Sequence, residues 1–158
     1  MTQELCQTRK FARERKWQRV NIIRFIQTKT ESTYLYDYKT VDQALRFMRS
    51  HGHTEVPVVN QSCEYLGVLN EGDFLWHILD YGGYASVKND RLSKLIHKGA
   101  VPALKITADD EELRAAALRC SIVPIVDDRN VFIGVIPRES ILQYFAEKQQ
   151  EEVVGGIA

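Results

Sequence analysis

The sequence lacks long apolar runs and has few cysteines, and both absences narrow the class of protein that it encodes. No run of about 18 apolar residues is present, and the N-terminus carries no apolar signal core, so neither a membrane-spanning segment nor a cleaved secretory signal is expected. The three cysteines form no Cys-x-x-Cys or Cys/His pair with metal-ligand spacing, which indicates reduced thiols. These features predict a cytoplasmic protein without a membrane partner.

An excess of charge of one sign is also absent. The chain has 21 basic and 21 acidic residues and a formal net charge of zero, so no overall field attracts nucleic acid or an anionic membrane. The sequence contains no Gly-x-Ser-x-Gly, phosphate-binding loop, dinucleotide fingerprint or Glu-x-x-His motif. Its four histidines have no cysteine or carboxylate partner at a metal-ligand spacing. We therefore expect neither an enzyme nor a metal site, and no required cofactor.

The chain does contain an internal repeat with an offset of 67 residues. The segment "VPVVNQSCEYLGVL" overlays "VPIVDDRNVFIGVI" without a gap, and the apolar alternation of the two segments matches. The offset also relates four pairs of landmark residues, which indicates a duplicated unit. The pairs are Pro57 and Pro124, Gly67 and Gly134, Thr40 and Thr107, and Asp42 and Asp109.

Each unit is predicted to have the order β-α-β-β-α. A β-prone run comes first ("STYLYDY" or "AVPALKI"), and Thr40 or Thr107 is placed to cap the helix that follows. The first helix should end near Gly52, which can adopt a left-handed cap. A two-stranded hairpin comes next, and the last helix should start at Asn70. Its inward side chains are predicted to be Phe74, Leu75 and Ile78.

One unit is too small to bury both of its helices and both faces of its sheet, so the two units should pack against each other. The predicted fold class is α+β, with two pseudo-symmetric β-α-β-β-α repeats packed through their sheets. We expect a basic, helical N-terminal extension at 1–21, the repeats at 22–84 and 85–147, and a flexible C-terminal tail at 148–158.

The segments "VPVV…YLGVLNEGD" and "VPIVDD…FIGVIPRES", with the Thr-x-Asp helix starts before them, resemble a tandem pair of CBS domains, or Bateman module. The resemblance covers roughly 22–145 and is greatest to stand-alone bacterial CBS-pair proteins. It implies a regulatory protein with two clefts between the repeats, in which adenine nucleotides or related adenosyl compounds bind. It also implies that two modules associate into a flat, homodimeric disc.

The turn from the hairpin into the last helix carries the resemblance to a binding site. In the family this turn reads Gly-h-x-Thr/Ser-x-x-Asp, where h is apolar, and the Asp accepts hydrogen bonds from both ribose hydroxyls. Gly67, Asn70 and Asp73 occupy these positions, so the resemblance implies that Asp73 binds ribose. Asn70 and Asp73 also have the spacing of a capping box, which would stabilise the helix by about 1 kcal/mol without a ligand. The two roles are compatible.

The second copy of this turn differs from the first. Pro137 replaces the Thr/Ser and Ser140 replaces the Asp, so the turn keeps its helix start and loses its diol ligand. We therefore expect one competent nucleoside site per chain, with the second cleft empty, degraded or adapted. Arg138 in this turn could reach an anion or could be a solvated residue of the first helical turn.

The resemblance also places the adenine base between the first β-run and the backbone that precedes the hairpin strand. The small Ala44 would either leave room for the ring or pack within the fold. The positions of this chain that match the family's adenine-binding positions are Tyr38, Lys39, His53, Thr54 and Glu55.

Phosphate recognition is where the chain departs from nucleotide-sensing relatives, which often place a basic pair just before the strand proline. Thr54 and Glu55 stand there instead, and the Glu55 carboxylate would repel a phosphate. Lys98 and Arg138 remain as basic candidates. This weakens the case for ATP within the set of adenosyl ligands considered, which is AMP, ADP, ATP, S-adenosylmethionine and cyclic di-AMP.

Two other functions remain open. The chain could be a ligand-free CBS dimerisation or interaction module, if the first turn has lost its ligand as well. It could instead be a nucleic-acid-associated regulator that uses the basic residues between Arg9 and Arg19. We favour a helix that packs across a dimer mate for this extension, which makes nucleic acid the less expected partner.

Overall fold

The computed structural model describes residues 21–29, 33–97 and 101–155, and both repeats have the predicted order β-α-β-β-α. The N-terminal extension and Lys98 lie outside the described residues. The first part of the chain contains β1 (Gln27–Thr28), β2 (Leu35–Tyr36), α1 (Val41–His51), β3 (Glu55–Val59), β4 (Tyr65–Asn70) and α2 (Glu71–Asp80). The second part contains α3 (Tyr84–Val87), β5 (Leu104–Lys105), α4 (Asp110–Arg119), β6 (Ile122–Val126), β7 (Phe132–Pro137) and α5 (Arg138–Gly155).

The two hairpins confirm the duplication residue by residue. Pro57 of β3 pairs with Val68 of β4, and Pro124 of β6 pairs with Val135 of β7, which is the same register shifted by 67. Each hairpin also has a register shift at the equivalent place, after Val58 or after Ile125. Strands β2 and β5 add in parallel to β3 and β6, so each repeat has one mixed sheet.

Upstream of the hairpin the ungapped offset is wrong, and the cap predicted at Thr107 is absent. Thr40 caps α1 by accepting a hydrogen bond from the Gln43 backbone N–H. The equivalent cap of α4 is Asp109, which accepts from the backbone N–H groups of Glu111 and Glu112. The first repeat has two more residues between its helix start and β3, because α1 continues to a left-handed Gly52 before the strand begins.

The segments that precede the repeats are exchanged between them. Strand β1 pairs antiparallel with β7 of the second repeat, and Ile22 is buried in the second repeat's core. In the reverse direction Leu92 is buried in the core of the first repeat, where Ile96 lies against Gly67 of β4. The predicted boundary at residue 22 therefore does not separate the two sheets, since 22–28 packs on the second repeat.

A third apolar cluster lies between the two sheets and joins the repeats, which confirms that they pack through their sheets. Its buried members are Val59, Tyr65, Val126, Phe132 and Val135. The backbone adds a reciprocal pair of hydrogen bonds: the Tyr65 N–H donates to the Asn130 carbonyl at 3.0 Å, and the Phe132 N–H donates to the Cys63 carbonyl at 2.9 Å. These residues are also related by the 67-residue offset, so the interface is pseudo-symmetric.

Two other predictions are corrected by the packing, and one open alternative is resolved. Leu75 was expected to face inward but is 50% exposed, whereas Phe74 is buried and Ile78 packs on the core. Ala44 is fully buried in the first repeat's core, which is the packing alternative of the two that the sequence left open for it. The tail from residue 148 was expected to be flexible, but α5 continues to Gly155, and Lys148 pairs there with Asp110 of α4.

Candidate functional site

A cleft of about 420 Å³ lies between the two repeats, where the start of a strand and the ends of two helices converge. The first repeat contributes the start of β3 and the first turn of α2, and the second repeat contributes the end of α4 and the residues before β6. The residues that line it are Thr54, Glu55, Asn70, Glu71, Gly72, Val101, Arg119, Cys120 and Ser121. A cleft of this volume between two packed units is in the size range of small-molecule sites.

The first turn of α2 is ordered by the predicted capping box. The Asp73 backbone N–H donates to Asn70 Oδ1 at 3.0 Å, and the Asn70 backbone N–H donates to Asp73 Oδ2 at 2.8 Å. This confirms the cap that the sequence predicted. The hydrogen bond described for the Asp73 carboxylate uses Oδ2, so Oδ1 has no described partner within the residues that the structure covers.

A backbone hydrogen bond holds each helix start to the strand start beside it. The Glu71 N–H donates to the Thr54 carbonyl at 3.1 Å, and the Arg138 N–H donates to the Ser121 carbonyl at 2.8 Å. These two bonds are equivalent under the 67-residue offset. Because the backbone is fixed in this way, the side chains of the two turns project from defined positions around the cleft.

The charges around the cleft are unevenly divided between the repeats. Glu55 and Glu71 come from the first repeat and Arg119 comes from the second. Arg138 is close by, because its Nε donates to the Cys120 carbonyl at 2.9 Å. Burial raises the pKa of the Cys120 thiol and the Glu55 charge adds to this rise, whereas the charges of Arg138 and Arg119 lower the pKa. The negative charge of Glu55 and the positive charges of Arg119 and Arg138 therefore all act on the Cys120 thiol.

The structure brings only part of the predicted site together. Thr54, Glu55 and Asn70 line the cleft, and Asp73 lies in the helical turn beside it. His53 Nε2 is hydrogen-bonded to Thr33 Oγ1 at 2.9 Å, so its ring is tied to the segment before β2.

Tyr38 and Lys39 lie elsewhere, contrary to the prediction that they meet the base beside Thr54 and Glu55. Tyr38 lines a separate groove of about 250 Å³ together with the β3–β4 turn and Arg91. Its ring stacks on Tyr36 with centroids 5.3 Å apart, and the Lys39 ammonium lies 5.7 Å from the Tyr38 ring centroid. The difference arises because β2 is at the far side of β3 from β4 and α2.

Six lining residues were not predicted, namely Glu71, Gly72, Val101, Arg119, Cys120 and Ser121. The 67-residue repeat offered a signal for the lining residues that come from the second repeat. Ser121 is the counterpart of Thr54 at the 67-residue offset, and a pseudo-symmetric interface brings such counterparts together. The residues that precede Ser121 could have been added on that ground.

Two features are absent from the part of the chain that the structure describes. It contains no group of three or more histidine, cysteine or acidic side chains placed to hold a metal ion. It also contains no helix that combines the length and the apolar character needed to cross a bilayer.

Comparison with known families decides what the repeats are. The CBS domain family model matches residues 26–80, which run from the residue before β1 through α2. The second repeat has the same element order and the same hairpin register. The first repeat matches the CBS domain family, and the second repeat shares its fold.

Solved structures share the fold of this chain over most of its length. The structure of CbpB in complex with c-di-AMP has a TM-score of 0.75 at 15% identity, and the match covers 95% of this chain and 99% of that chain. The structure of CBSX2 in complex with AMP has a TM-score of 0.65 at 16% identity, and covers 82% of this chain and 98% of that chain. At these identities the likeness shows the fold.

A curated relative matches this chain over one part of a longer protein. The homoserine O-acetyltransferase of Methanococcus vannielii is 28% identical over 125 residues, which cover 76% of this chain and 24% of the relative. The chain therefore spans about a quarter of that relative's length, and the similarity concerns only that part of it.

Proposed function

We propose that this CBS pair is a regulatory module that binds an adenosine-containing ligand in the inter-repeat cleft and acts without catalysis. The observation that carries the proposal is the cleft itself, since the first turn of α2 borders it and Asp73 stands in that turn with one carboxylate oxygen outside the cap. A carboxylate oxygen can accept a hydrogen bond from a ribose hydroxyl while the other keeps the helix capped.

Structural neighbours support the chemical class of the ligand. One neighbour was solved with c-di-AMP and another with AMP, and both contain an adenosine unit. In this chain Thr54 and Glu55 would border the ligand from the start of β3, and Asn70 would do so from the helix cap. A cytoplasmic location stays a prediction.

Binding can regulate only if the ligand has different affinities for two arrangements of the repeats or of two chains. The cleft is built from both repeats, so a ligand in it would stabilise one relative placement of the two sheets. The relative placement of the two sheets would then determine which surface the module presents to its partner.

We also infer that the module forms a homodimer through the exposed side of α2. Leu75, Trp76 and Leu79 share that side and are 50%, 61% and 61% exposed. Leu142 is exposed at the position of α5 that corresponds to Leu75. A second copy fits this arrangement, because matched apolar positions on two pseudo-symmetric helices are suited to a two-fold interface.

The test of ligand binding is thermal unfolding of the purified chain with AMP, ADP, ATP, NAD, S-adenosylmethionine and cyclic di-AMP. A ligand at a hundred times its Kd should add about 2.7 kcal/mol to the free energy of unfolding. The stabilisation should be lost in Asp73→Asn, in which the amide can still accept the cap hydrogen bond, and kept in Asp80→Asn at the far end of the same helix. If no adenosine compound shifts the transition, the chain is a ligand-free interaction module.

The test of dimerisation is the mass in solution, measured by light scattering. Leu79→Glu should convert a dimer into a monomer, because the charge would be buried in the apolar interface. Glu147→Gln on α5 serves as the control outside this surface. A wild-type monomer at all concentrations would refute the dimer, and retention of DNA or RNA with a steep salt dependence would support the nucleic-acid alternative.

A further inference from the structure

We propose that the inter-repeat cleft selects a nucleoside with a zwitterionic tail, an ammonium group beside a carboxylate, over a nucleoside phosphate. This inference rests on the proposed function of the same cleft and specifies its ligand class.

The cleft has an acidic wall and a basic wall, and each comes from a different repeat. The acidic wall consists of Glu55 at the start of β3 and Glu71 at the start of α2. At the 67-residue offset their counterparts are Ile122 and Arg138, so the second repeat has no carboxylate at either place. The basic wall consists of Arg119, which lines the cleft, and Arg138, which is bonded to the Cys120 carbonyl.

The four charged side chains of these walls remain available to a ligand. Within the described ranges, neither carboxylate of the acidic wall takes part in an ion pair, and neither does either guanidinium of the basic wall. The one described side-chain bond among the four is that of Arg138 Nε to a backbone carbonyl, which leaves the rest of its guanidinium available. Cys120 lines the cleft next to Arg119, and the charges of Glu55 and of both arginines all act on its thiol.

Opposed walls of this kind favour a dipolar ligand. An ammonium group would interact with the acidic wall, and a carboxylate on the same tail would interact with the basic wall, so both charges are compensated. A polyphosphate has only negative charges, so it could pair with the basic wall but would leave Glu55 and Glu71 without a counter-charge and would be repelled by them. A nucleoside with an amino-acid tail at its 5′ end meets both requirements, with its ribose beside Asp73.

The experiment is isothermal titration of the full chain with adenosine compounds that differ only in the tail. S-adenosylhomocysteine and S-adenosylmethionine carry the zwitterion, 5′-methylthioadenosine lacks it, and AMP and ATP carry phosphate in its place. We expect the two zwitterionic compounds to bind at least about tenfold more tightly than the other three. Ligand-dependent protection of Cys120 from iodoacetamide, with Cys63 unprotected, should locate the binding in the cleft.

Charge variants test the acidic wall directly. Glu55→Gln with Glu71→Gln should remove the preference for the zwitterion, and Glu55→Lys should increase AMP and ATP affinity about tenfold or more. Arg119→Gln should weaken the zwitterionic compounds while leaving 5′-methylthioadenosine unchanged. Glu147→Gln, an exposed charge outside the cleft, should change none of these affinities.

The outcomes separate this inference from the proposed function. If AMP, ATP or cyclic di-AMP binds as tightly as the zwitterionic compounds and the binding needs Asp73, the module senses an adenosine ligand but the zwitterion inference is wrong. If no adenosine compound binds, both are wrong. If selectivity for the zwitterion survives the double Glu→Gln variant, the acidic wall is not its cause.

Discussion

The carbonyl oxygen of Gln27 lies over Gly134, in the space that a Cβ atom at residue 134 would occupy. Gln27 belongs to β1 and Gly134 to β7, so this close approach fastens the segment before the first repeat to the sheet of the second. We therefore expect Gly134→Ala to lower the free energy of unfolding by about 1–3 kcal/mol, because backbone must move to admit the methyl group.

The matched control is Gly67→Ala, at the equivalent position of β4. Among the described residues, its added Cβ would meet Ile96 Cγ2 at 3.1 Å, the end of a side chain that can turn away. Urea denaturation of the two variants measures the difference. Equal losses would show that the β1 contact does not limit residue 134.

The cap of α4 provides a second prediction. Asp109 accepts hydrogen bonds from the backbone N–H groups of Glu111 and Glu112 at 3.0 and 2.9 Å, whereas Thr107 is exposed and precedes the cap by two residues. Asp109→Ala should cost about 1 kcal/mol of stability and Thr107→Ala should cost much less. Chemical denaturation measures both, and the reverse order would restore the ungapped alignment of the two repeats.

Asp90 should make stability depend on pH. Its carboxylate accepts from Lys94 Nζ at 2.6 Å and lies 2.9 Å from His77 Nε2, and these bonds, that of Lys94 first, lower the pKa of Asp90. Since the folded-state pKa is below the unfolded one, the stabilisation is present above the unfolded value of about 4 and is lost as the pH falls through the folded value.

We therefore expect Asp90→Asn to be less stable than the wild type at pH 7 and indistinguishable from it at the acid end of the range. The measurement is the melting temperature of both proteins between pH 3 and pH 7. Asp128→Asn is the control, because Asp128 is an exposed residue of the β6–β7 turn. A difference that persists unchanged at low pH would assign the effect to packing.

The two described cysteines should react at different pH values. A hydrogen bond from Lys29, followed by one from Tyr36, lowers the pKa of the Cys63 thiol, whereas burial is the main cause that raises the pKa of Cys120. Because the thiolate is the nucleophile, Cys63 should be alkylated at a lower pH than Cys120. Mass spectrometry after timed iodoacetamide treatment, in a Cys6→Ser background, measures both rates.

Lys29→Met tests the cause of this difference. Removal of the ammonium group should move the alkylation profile of Cys63 to higher pH and leave that of Cys120 in place. An unchanged Cys63 profile would mean that the lysine does not stabilise the thiolate.

Features that depend on neighbours in the chain were predictable. The hairpins follow from apolar alternation around Pro57 and Pro124, and the α2 cap follows from Asn70 and Asp73 three residues apart. The family resemblance, rather than local pattern, found three of the nine residues that line the cleft, namely Thr54, Glu55 and Asn70, which belong to two turns of one repeat.

Features that depend on distant parts of the chain were not predictable in the same way. Residues 22–28 pack on the second repeat because β7 offers an edge and a glycine at the point of contact. The local sequence pattern of β1 does not indicate which strand it will pair with. Leu75 has the apolar character of a core residue, yet its direction depends on how α2 sits on the sheet.

Pattern and spacing along the chain determined the duplicated β-α-β-β-α unit, its helix caps at α1 and α2, and the turn that carries Asp73, since these arise from interactions over a few residues. Only the tertiary structure decided which residues face each other across the cleft. The acidic wall and the basic wall come from different repeats, and they meet because burial of the apolar residues between the sheets brings those repeats together.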